Sequence, residues 1–532
     1  MVEQFFIGVD VGSASVRAGV FTSQGERLAF SVRAIQQFHP RANVVEQSST
    51  DIWQQVCAVV KEAVELSQVD IHSICSIGFD ATCSLVAVAR DGLSVSVAED
   101  GNTERDIIMW MDHRATDEAM DINLTNDPAL QYVGGEVSVE MELPKILWLK
   151  RHYPQRYHQV WRFFDLADYL VWRASAADVA SICTLSCKWN YLSHEGRFSH
   201  SLLEAIGLTE LTDKVPTTVL NLGDKVGVLC PEVALQFGLH TAVTIASGII
   251  DAHAGGLALV AAQPQASLAI ISGTSNCHMV VSPQAVMVPG VWGPYFSAMI
   301  PDWWLNEGGQ SAAGALVEWT LRQSDAWPEL EEMAKRQQCS YYHILNQRVA
   351  QLEQQHPFPT YHFHILADHH GNRSPRANPD ARGMESGLSL ETGLDALARR
   401  YLATLQAIAY GTRHIIDVLE ESGHQIDRLI LCGGATKNPL WLREYANATQ
   451  RTIHLAKEED AVTLGAALLG AVACGVFSDF SQAAGAMVRY GNSIKPDDST
   501  ASFHQAKYQV YLQMYQDQQR YHQMMSNAEL PV

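Results

Sequence analysis

At 532 residues, with 47% hydrophobic and 18% charged residues, the chain can bury more than one core and is too long for a single ordinary domain, so two large domains are expected. Its 37 Lys and Arg stand against 58 Asp and Glu, a formal net charge of -21, which argues against a nucleic acid or anionic membrane held by bulk electrostatics. Ten cysteines without a Cys-x-x-Cys pair read as thiols of a reducing compartment, and the expected location is the cytoplasm.

Met1-Val2-Glu3-Gln4 carries no basic stretch and no small-residue cleavage site, so no signal or transit peptide is expected. From Phe5 to Arg33 the pattern predicts a meander of two or three short strands, with a turn at Ser23-Gln24-Gly25. Thr50-Asp51 is expected to cap a helix in which Ile52, Trp53, Val56, Val59, Val60 and Val64 recur at helical spacing, and Ile71 to Phe79 reads as an apolar strand. This alternation implies α/β layering. The pattern is mostly helical through Trp148, Trp161 and Leu170, and a further strand with a polar end is expected from Ala246 to Asp251.

The periodicity breaks at Ala262-Gln263-Pro264-Gln265, and Ala266 to Val281 repeats the opening arrangement of apolar strand, Gly and hydroxyl turn, apolar strand. A duplicated α/β domain has this signature, so the boundary is placed near 262, giving domains 1–262 and 263–532. Helices are expected from Gln310 to Arg322, Leu394 to Glu421 and Val462 to Cys474, with a strand from Leu429 to Cys432. The apolar stretch from Ala461 to Phe477 is shorter than the ~20 residues of a bilayer span and reads as a buried helix. Tyr508, Tyr511, Met514 and Tyr515 mark the tail, Ser502 to Met525, as an amphipathic helix that packs on the body.

Asp10-Val11-Gly12-Ser13-Ala14-Ser15-Val16-Arg17 ends a buried strand in an acid and continues in a turn of small residues. Such a turn offers backbone N–H groups to a phosphate, while Asp10 can hold a phosphate-bound Mg²⁺. Ser272-Gly273-Thr274-Ser275 supplies a second turn of this kind, and Leu429 to Cys432 runs into Gly433-Gly434, where a base or ribose could approach the backbone. Asp251 is either the cap of the following helix or a reactive carboxylate. Asp368-His369-His370, with His362 and His364, has metal-like composition but matches no zinc spacing.

Together these segments resemble the FGGY carbohydrate kinases of the actin, hexokinase and Hsp70 ATPase superfamily. The resemblance rests on I-G-V-D-V-G-S at 7 to 13, W-M-D-H-R at 110 to 114, G-I-I-D-A-H at 248 to 253, S-G-T-S at 272 to 275, E-G-G-Q at 307 to 310 and G-G-A-T-K-N-P at 433 to 439. It implies two ribonuclease H-like domains flanking a catalytic cleft, ATP and Mg²⁺ as cofactors, and transfer of the γ-phosphoryl group to a sugar. Asp251 is then the catalytic base. Gly12, Ser13, Ser15, Arg17, Gly273, Thr274, Ser275, Gly433, Gly434 and Asn438 are the implied nucleotide contacts, and Asp10 the metal ligand. The implied sugar contacts are Asp80, Trp110, Asp112, Arg114, Lys188, Asp251 and Glu307, with a salt bridge remaining open for Lys188 and Glu307. Thr82-Cys83-Ser84-Leu85-Val86 resembles the D-ribulose kinase branch, which implies formation of D-ribulose 5-phosphate; xylulose, L-ribulose and a non-kinase ATPase remain alternatives. The expected partners are a sugar and ATP, no nucleic acid or membrane, and a second copy in a homodimer. Arg382-Gly383-Met384-Glu385-Ser386-Gly387 departs from the family's more apolar Gly-rich segment.

Overall fold

The apolar run that opens the chain turns back on itself twice, giving β1 (Phe5–Val11), β2 (Ser15–Thr22) and β3 (Arg27–Ala34) as an antiparallel meander in the computed structural model, which describes residues 3–527. Every β1 residue is buried, as expected of a central strand covered on both faces. The following helix α1 (Ser49–Ser67) already includes Thr50 and Asp51, which were expected to cap it. Ser48 is the cap, its side chain accepting the Asp51 N–H, and Ile52, Val56, Val59 and Val60 join the core beneath the strands. The predicted strand from Ile71 begins with a turn of 3-10 helix over Ile71–Ser73, capped by Asp70, and becomes β4 only at Ile74–Ala81.

β4 lies parallel to β1. Beyond it come β5 (Lys225–Val228), β6 (Thr244–Ala246) and β7 (Ile249–Ile250), and the sheet runs β5-β6-β4-β1-β2-β3, with β7 also on β4. Helix α2 (Asp251–Val260) leaves β7 without an intervening loop. The Ala- and Gly-rich stretch is helix α3 (Ala461–Ala473), and the strands admit it because they lack side chains where it crosses. A Cβ on Gly8 would collide with the Thr463 carbonyl, one on Gly78 with the Ala466 carbonyl, and one on Gly465 with the Ala254 carbonyl of α2.

The chain forms two compact units that interleave along the sequence. The first takes residues up to Ser267, then Met279–Glu307 and Ala456–Tyr490; the second takes Leu268–His278, Gly308–Leu455 and the residues from Gly491 onward. Besides the large sheet, the first unit holds a four-stranded sheet of Glu46–Gln47, Ile107–Ile108, Leu85–Ala89 and Val160–Asp165 in that order. A hairpin register in this unit sets Trp292 opposite Glu307.

Strands Ser267–Ser272, Arg428–Gly433, Ile453–Ala456 and Tyr490–Ile494, which lie largely in the second unit, are neighbours in that order. The helix expected from Gln310 begins at Gly314, because residues through Gln310 continue a strand and the Gln310 side chain is tied to Asn276 and to the Ile408 carbonyl. The tail forms helix Ala501–Ser526 and buries Tyr508, Tyr511 and Met514 together with His504, Lys507 and Gln518. The departing segment at 382 to 387 is half of a hairpin: Met384–Ser386 pairs with His364–Leu366, and Gly387, at φ 87°, comes against the His362 carbonyl. Among the described residues no helix is long and apolar enough to cross a membrane.

The close helix crossing gives a stability test. Gly78→Ala forces carbonyl and Cβ apart and should cost about 3 kcal/mol. By contrast, Gly485→Ala, in helix Phe480–Met487 where a Cβ meets nothing within 4 Å, should stabilise by about 0.5–1 kcal/mol. Urea unfolding of the two variants checks this, and equal effects would disprove the packing described.

Candidate active site

β1, β4 and β7 end side by side, and this edge gathers three carboxylates. The parallel register sets Asp10 beside Asp80, Ile249 and Ile250 pair with Asp80 and Ala81, and Asp251 follows at once as the first residue of α2. Asp10 and Asp80 are buried and Asp251 is half-buried. Arg17, opposite Asp10 on β2, donates from Nη1 to Asp10 Oδ2 at 2.8 Å, and the same nitrogen lies 3.8 Å from Asp460 Oδ2. Asp460 caps α3 by accepting from the Thr463 N–H and hydroxyl at 3.1 and 2.8 Å. It was not foreseen as a site residue, although an acid three positions before Thr463 at the head of an apolar helix is a capping signal.

So many acids with one close cation cannot all stay charged. Burial pushes Asp10 up to about 7, against the pull of Arg17 and with Asp460 and Asp251 adding to the rise. Burial also holds Asp80 well above the carboxylate range, reinforced by Asp10 and Asp251. Asp251 is pushed up to about 6 by burial, opposed by the N–H of Ala252, which donates to Asp251 Oδ1 at 2.7 Å. Asp80 shares a side-chain hydrogen bond with Asp10, which raises Asp80 and lowers Asp10, and among the described residues no backbone N–H or hydroxyl donates to either of its carboxylate oxygens. Two buried carboxyls side by side with a single guanidinium suit a hard cation such as Mg²⁺, which takes oxygen ligands, so Asp10 and Asp80 fit a phosphate-bound Mg²⁺.

The turn after β1 is braced. Gly12 N–H donates to the Ser15 carbonyl at 3.0 Å, and the Ser13 carbonyl accepts from the side-chain amides of Gln37 and Gln47. Trp110 Nε1 donates to Ser13 Oγ at 3.0 Å, so that hydroxyl can offer a ligand its own hydrogen. The Trp110 N–H donates to Ser84 Oγ, which lies 3.2 Å from Thr82 Oγ1, while Thr82 N–H bonds the Val11 carbonyl. The Thr82-Cys83-Ser84 segment thereby joins the phosphate turn to the 110–114 segment.

Asp112 and Arg114, implied above as sugar contacts, are engaged within the protein. Both side chains are fully buried; Arg114 bonds both Asp112 oxygens, Glu46 and the Val97 carbonyl, while Asp112 also accepts the Val45 N–H. The pair is a buttress beneath Trp110, and its fork geometry is used within the protein.

Lys188, at the end of helix Ile182–Lys188, sits 3.6 Å from Glu307 and 4.2 Å from the centre of the Trp292 ring. Burial works against its charge, but attraction from Glu307 prevails and holds the Lys188 pKa well above the lysine range. The charges of both Lys188 and Glu307 act on Asp251.

In the second unit, the 272–275 loop rests on the start of helix Gly314–Arg322. Gly314 N–H bonds the Gly273 carbonyl, and the N–H groups of Ala313 and Ala315 bond the Thr274 carbonyl. Gly273 and Thr274 are exposed and Ser275 half-buried, and a Cβ on Gly273 would approach nothing nearer than the Ser275 carbonyl at 3.9 Å, which leaves room for an anion. The two later glycines have different tasks. Gly433, at φ 93°, has its missing Cβ space filled by the Ser272 carbonyl, so it serves loop packing; Gly434 is exposed and open. Asn438 is likewise engaged, capping helix Pro439–Thr449 through Trp441 N–H and bonding Tyr401 and Asn346. In the histidine-rich stretch near 362–370, His369 lies against Trp319, and Asp368 pairs with Asn372 and Arg376.

The raised carboxylates have a measurable consequence. Between about pH 4 and 7 the folded state holds protons that the unfolded chain releases, so these groups subtract stability as pH rises. In metal-free buffer at about pH 8, Asp80→Asn should raise the melting temperature by ~2–4 °C, and the gain should fade toward pH 4. A loss of stability that is the same at both pH values would contradict the described cluster.

Residues 5–258 match the N-terminal domain, and residues 268–474 the C-terminal domain, of the FGGY family of carbohydrate kinases. A human protein called FGGY carbohydrate kinase domain-containing protein is 42% identical, covering 99% of this chain and 98% of that one. A D-ribulokinase of Saccharomyces cerevisiae is 37% identical over 88% of this chain and 72% of its own length. Among solved structures, the xylulose kinase of Rhodospirillum rubrum superposes with a TM-score of 0.79 at 21% identity, covering 97% of this chain and 99% of that one, and shares the fold. The chain belongs to the FGGY family of carbohydrate kinases and is a sugar kinase of two ribonuclease H-like domains.

Proposed function

We propose that the enzyme is an ATP- and Mg²⁺-dependent pentulose kinase that converts D-ribulose to D-ribulose 5-phosphate. The observation that carries this reading is the meeting of Asp10, Asp80 and Asp251 at one strand edge, with Lys188 and Glu307 electrostatically coupled to Asp251. The D-ribulokinase name of the yeast relative and the Thr82-Cys83-Ser84 segment support the choice of sugar.

In this reading the first family domain, taken as 1–262, carries the base and the cation-binding acids, and the second, 263–532, carries the loops for nucleotide. Asp10, with Asp80 beside it, would hold Mg²⁺ directly or through water; when bound, the cation spreads the charge of the transferring phosphoryl group. Gly12, Ser13, Ser15 and Arg17 line the first phosphate turn, and Gly273, Thr274, Ser275 and Gly434 the nucleotide loops. Gly433 and Asn438 shape those loops from behind. Trp110 and Asp80 face the sugar from the strand edge, Lys188 and Glu307 bind its hydroxyls, and Asp112 and Arg114 keep Trp110 in place.

Asp251 performs the proton step. It accepts a hydrogen bond from the acceptor hydroxyl, which aligns that oxygen, and takes the proton as the oxygen–phosphorus bond forms and the bond to ADP breaks. With a pKa of about 6, Asp251 is mostly ionised at neutral pH, yet more basic than an exposed aspartate.

ADP formation measured over a panel of pentuloses, pentoses, polyols and glycerol tests the reading. D-ribulose should have the highest kcat/KM, and Asp251→Asn should lower kcat by about 10²-fold or more while changing the sugar KM little. Preference for a sugar outside the pentuloses, or near-normal turnover by the variant, would overturn the substrate or the base respectively.

A further inference from the structure

Next to the proposed sugar contacts lies a group that the phosphoryl-transfer reading leaves unused. Helix Ile182–Lys188 is fixed at its start by Ser181, whose side chain accepts the Cys183 N–H, and by buried Asp168, which accepts from the Ser181 N–H and the Thr184 hydroxyl. Cys183 and Cys187, four residues apart, fall on one face of this helix. Both are buried free thiols, and they meet the fully buried ring of His253, two residues after Asp251 on α2. One ligand atom from each of the three residues lies within 4.8 Å of the others.

The detailed spacing is that of a coordination shell. Cys187 Sγ and His253 Nε2 are 3.5 Å apart, and Glu307 Oε2 is also 3.5 Å from His253 Nε2. Tetrahedral zinc, with Zn–S of about 2.3 Å and Zn–N of about 2.0 Å, separates its sulfur and nitrogen ligands by about 3.5 Å. A hydrogen-bonded thiol needs no such convergence of two sulfurs and an imidazole nitrogen. Burial keeps His253 neutral, lowering it to about 4, so one ring nitrogen carries a lone pair.

The geometry points to a binding site for one thiophilic divalent cation, Zn²⁺ or its mimic Co²⁺, formed by Cys183, Cys187 and His253, with Glu307, 3.5 Å from His253 Nε2, drawn in as the fourth ligand. Binding removes the two thiol protons to solvent and forms two metal–thiolate bonds, one bond to the imidazole and one to the carboxylate. It also takes Glu307 away from Lys188, 3.6 Å from it in the metal-free protein, so cation and sugar should exclude each other. This exclusion rests on the assignment of Lys188 and Glu307 to the sugar; the metal site itself does not.

Co²⁺ titration of the full-length protein, kept reduced with a non-chelating phosphine, is the test. The expected result is one equivalent bound, with a thiolate-to-cobalt charge-transfer band and tetrahedral visible bands that Zn²⁺ abolishes. Cys183→Ser and Cys187→Ser should each remove the charge-transfer intensity in part, and the double variant entirely. In the kinase assay, Zn²⁺ at about ten times its Kd should raise the apparent sugar KM about tenfold, and the double variant should lose this response with its basal activity intact. Absence of the charge-transfer band, or its survival in the double variant, overturns the site. A full band without sugar competition overturns the exclusion. The spectra need no turnover, so they stand or fall separately from the choice of pentulose.

Discussion

Charge burial at the ends of β1, β4 and β7 is the constraint on which the rest of the site depends. A parallel register places Asp10 beside Asp80, and the chain then enters α2 at Asp251, so three acids share a place from which water is largely removed. Arg17 answers part of this charge through its 2.8 Å bond to Asp10, with Asp460 drawn to the same nitrogen at 3.8 Å. Burial, reinforced by the remaining repulsion, holds the pKa values of these acids up and makes the site receptive to a cation and to a proton-releasing hydroxyl. Such a cluster weakens the fold in favour of function.

Keeping charges so close requires a rigid support, and glycine supplies it. Backbone carbonyls of α2 and α3 sit where Gly8, Gly78 and Gly465 have no Cβ, so helices and strands meet at backbone distance. Because Asp460 is the cap of α3, the same helix that closes the core also delivers an acid to Arg17. On the other side, the buried Asp112–Arg114–Glu46 group holds the segment whose indole reaches Ser13. Packing and electrostatics are thus served by the same residues.

The fold class and the strand-end acids were legible because they reside in local pattern: apolar runs of strand length, each followed by Asp or by Gly and hydroxyl residues. Asp10 and Asp251 could be found in that way. Less visible were features that depend on distant contacts. Nothing near residue 461 says that α3 joins the first compact unit, since that follows from glycines more than 380 residues earlier in the chain. The motif around Gly433 and Asn438 did not reveal that the first packs against the Ser272 carbonyl and the second caps a helix, because a motif does not show which side of a backbone faces its neighbours. The buried pairing of Asp112 and Arg114 was hidden for a similar reason: Glu46, their third partner, lies 66 residues before Asp112. The Cys183, Cys187 and His253 group has no sequence spacing that would announce it.

Burial holds protons at the strand edge, on Asp80 above all, and a metal-bound phosphate arriving there should drive them off. Proton release on binding of MgATP, measured calorimetrically at about pH 6.5 in buffers of different ionisation enthalpy, tests it most directly. The expected result is a net release that falls sharply in Asp80→Asn. No release from the native enzyme, or a release unaffected by that substitution, would contradict it.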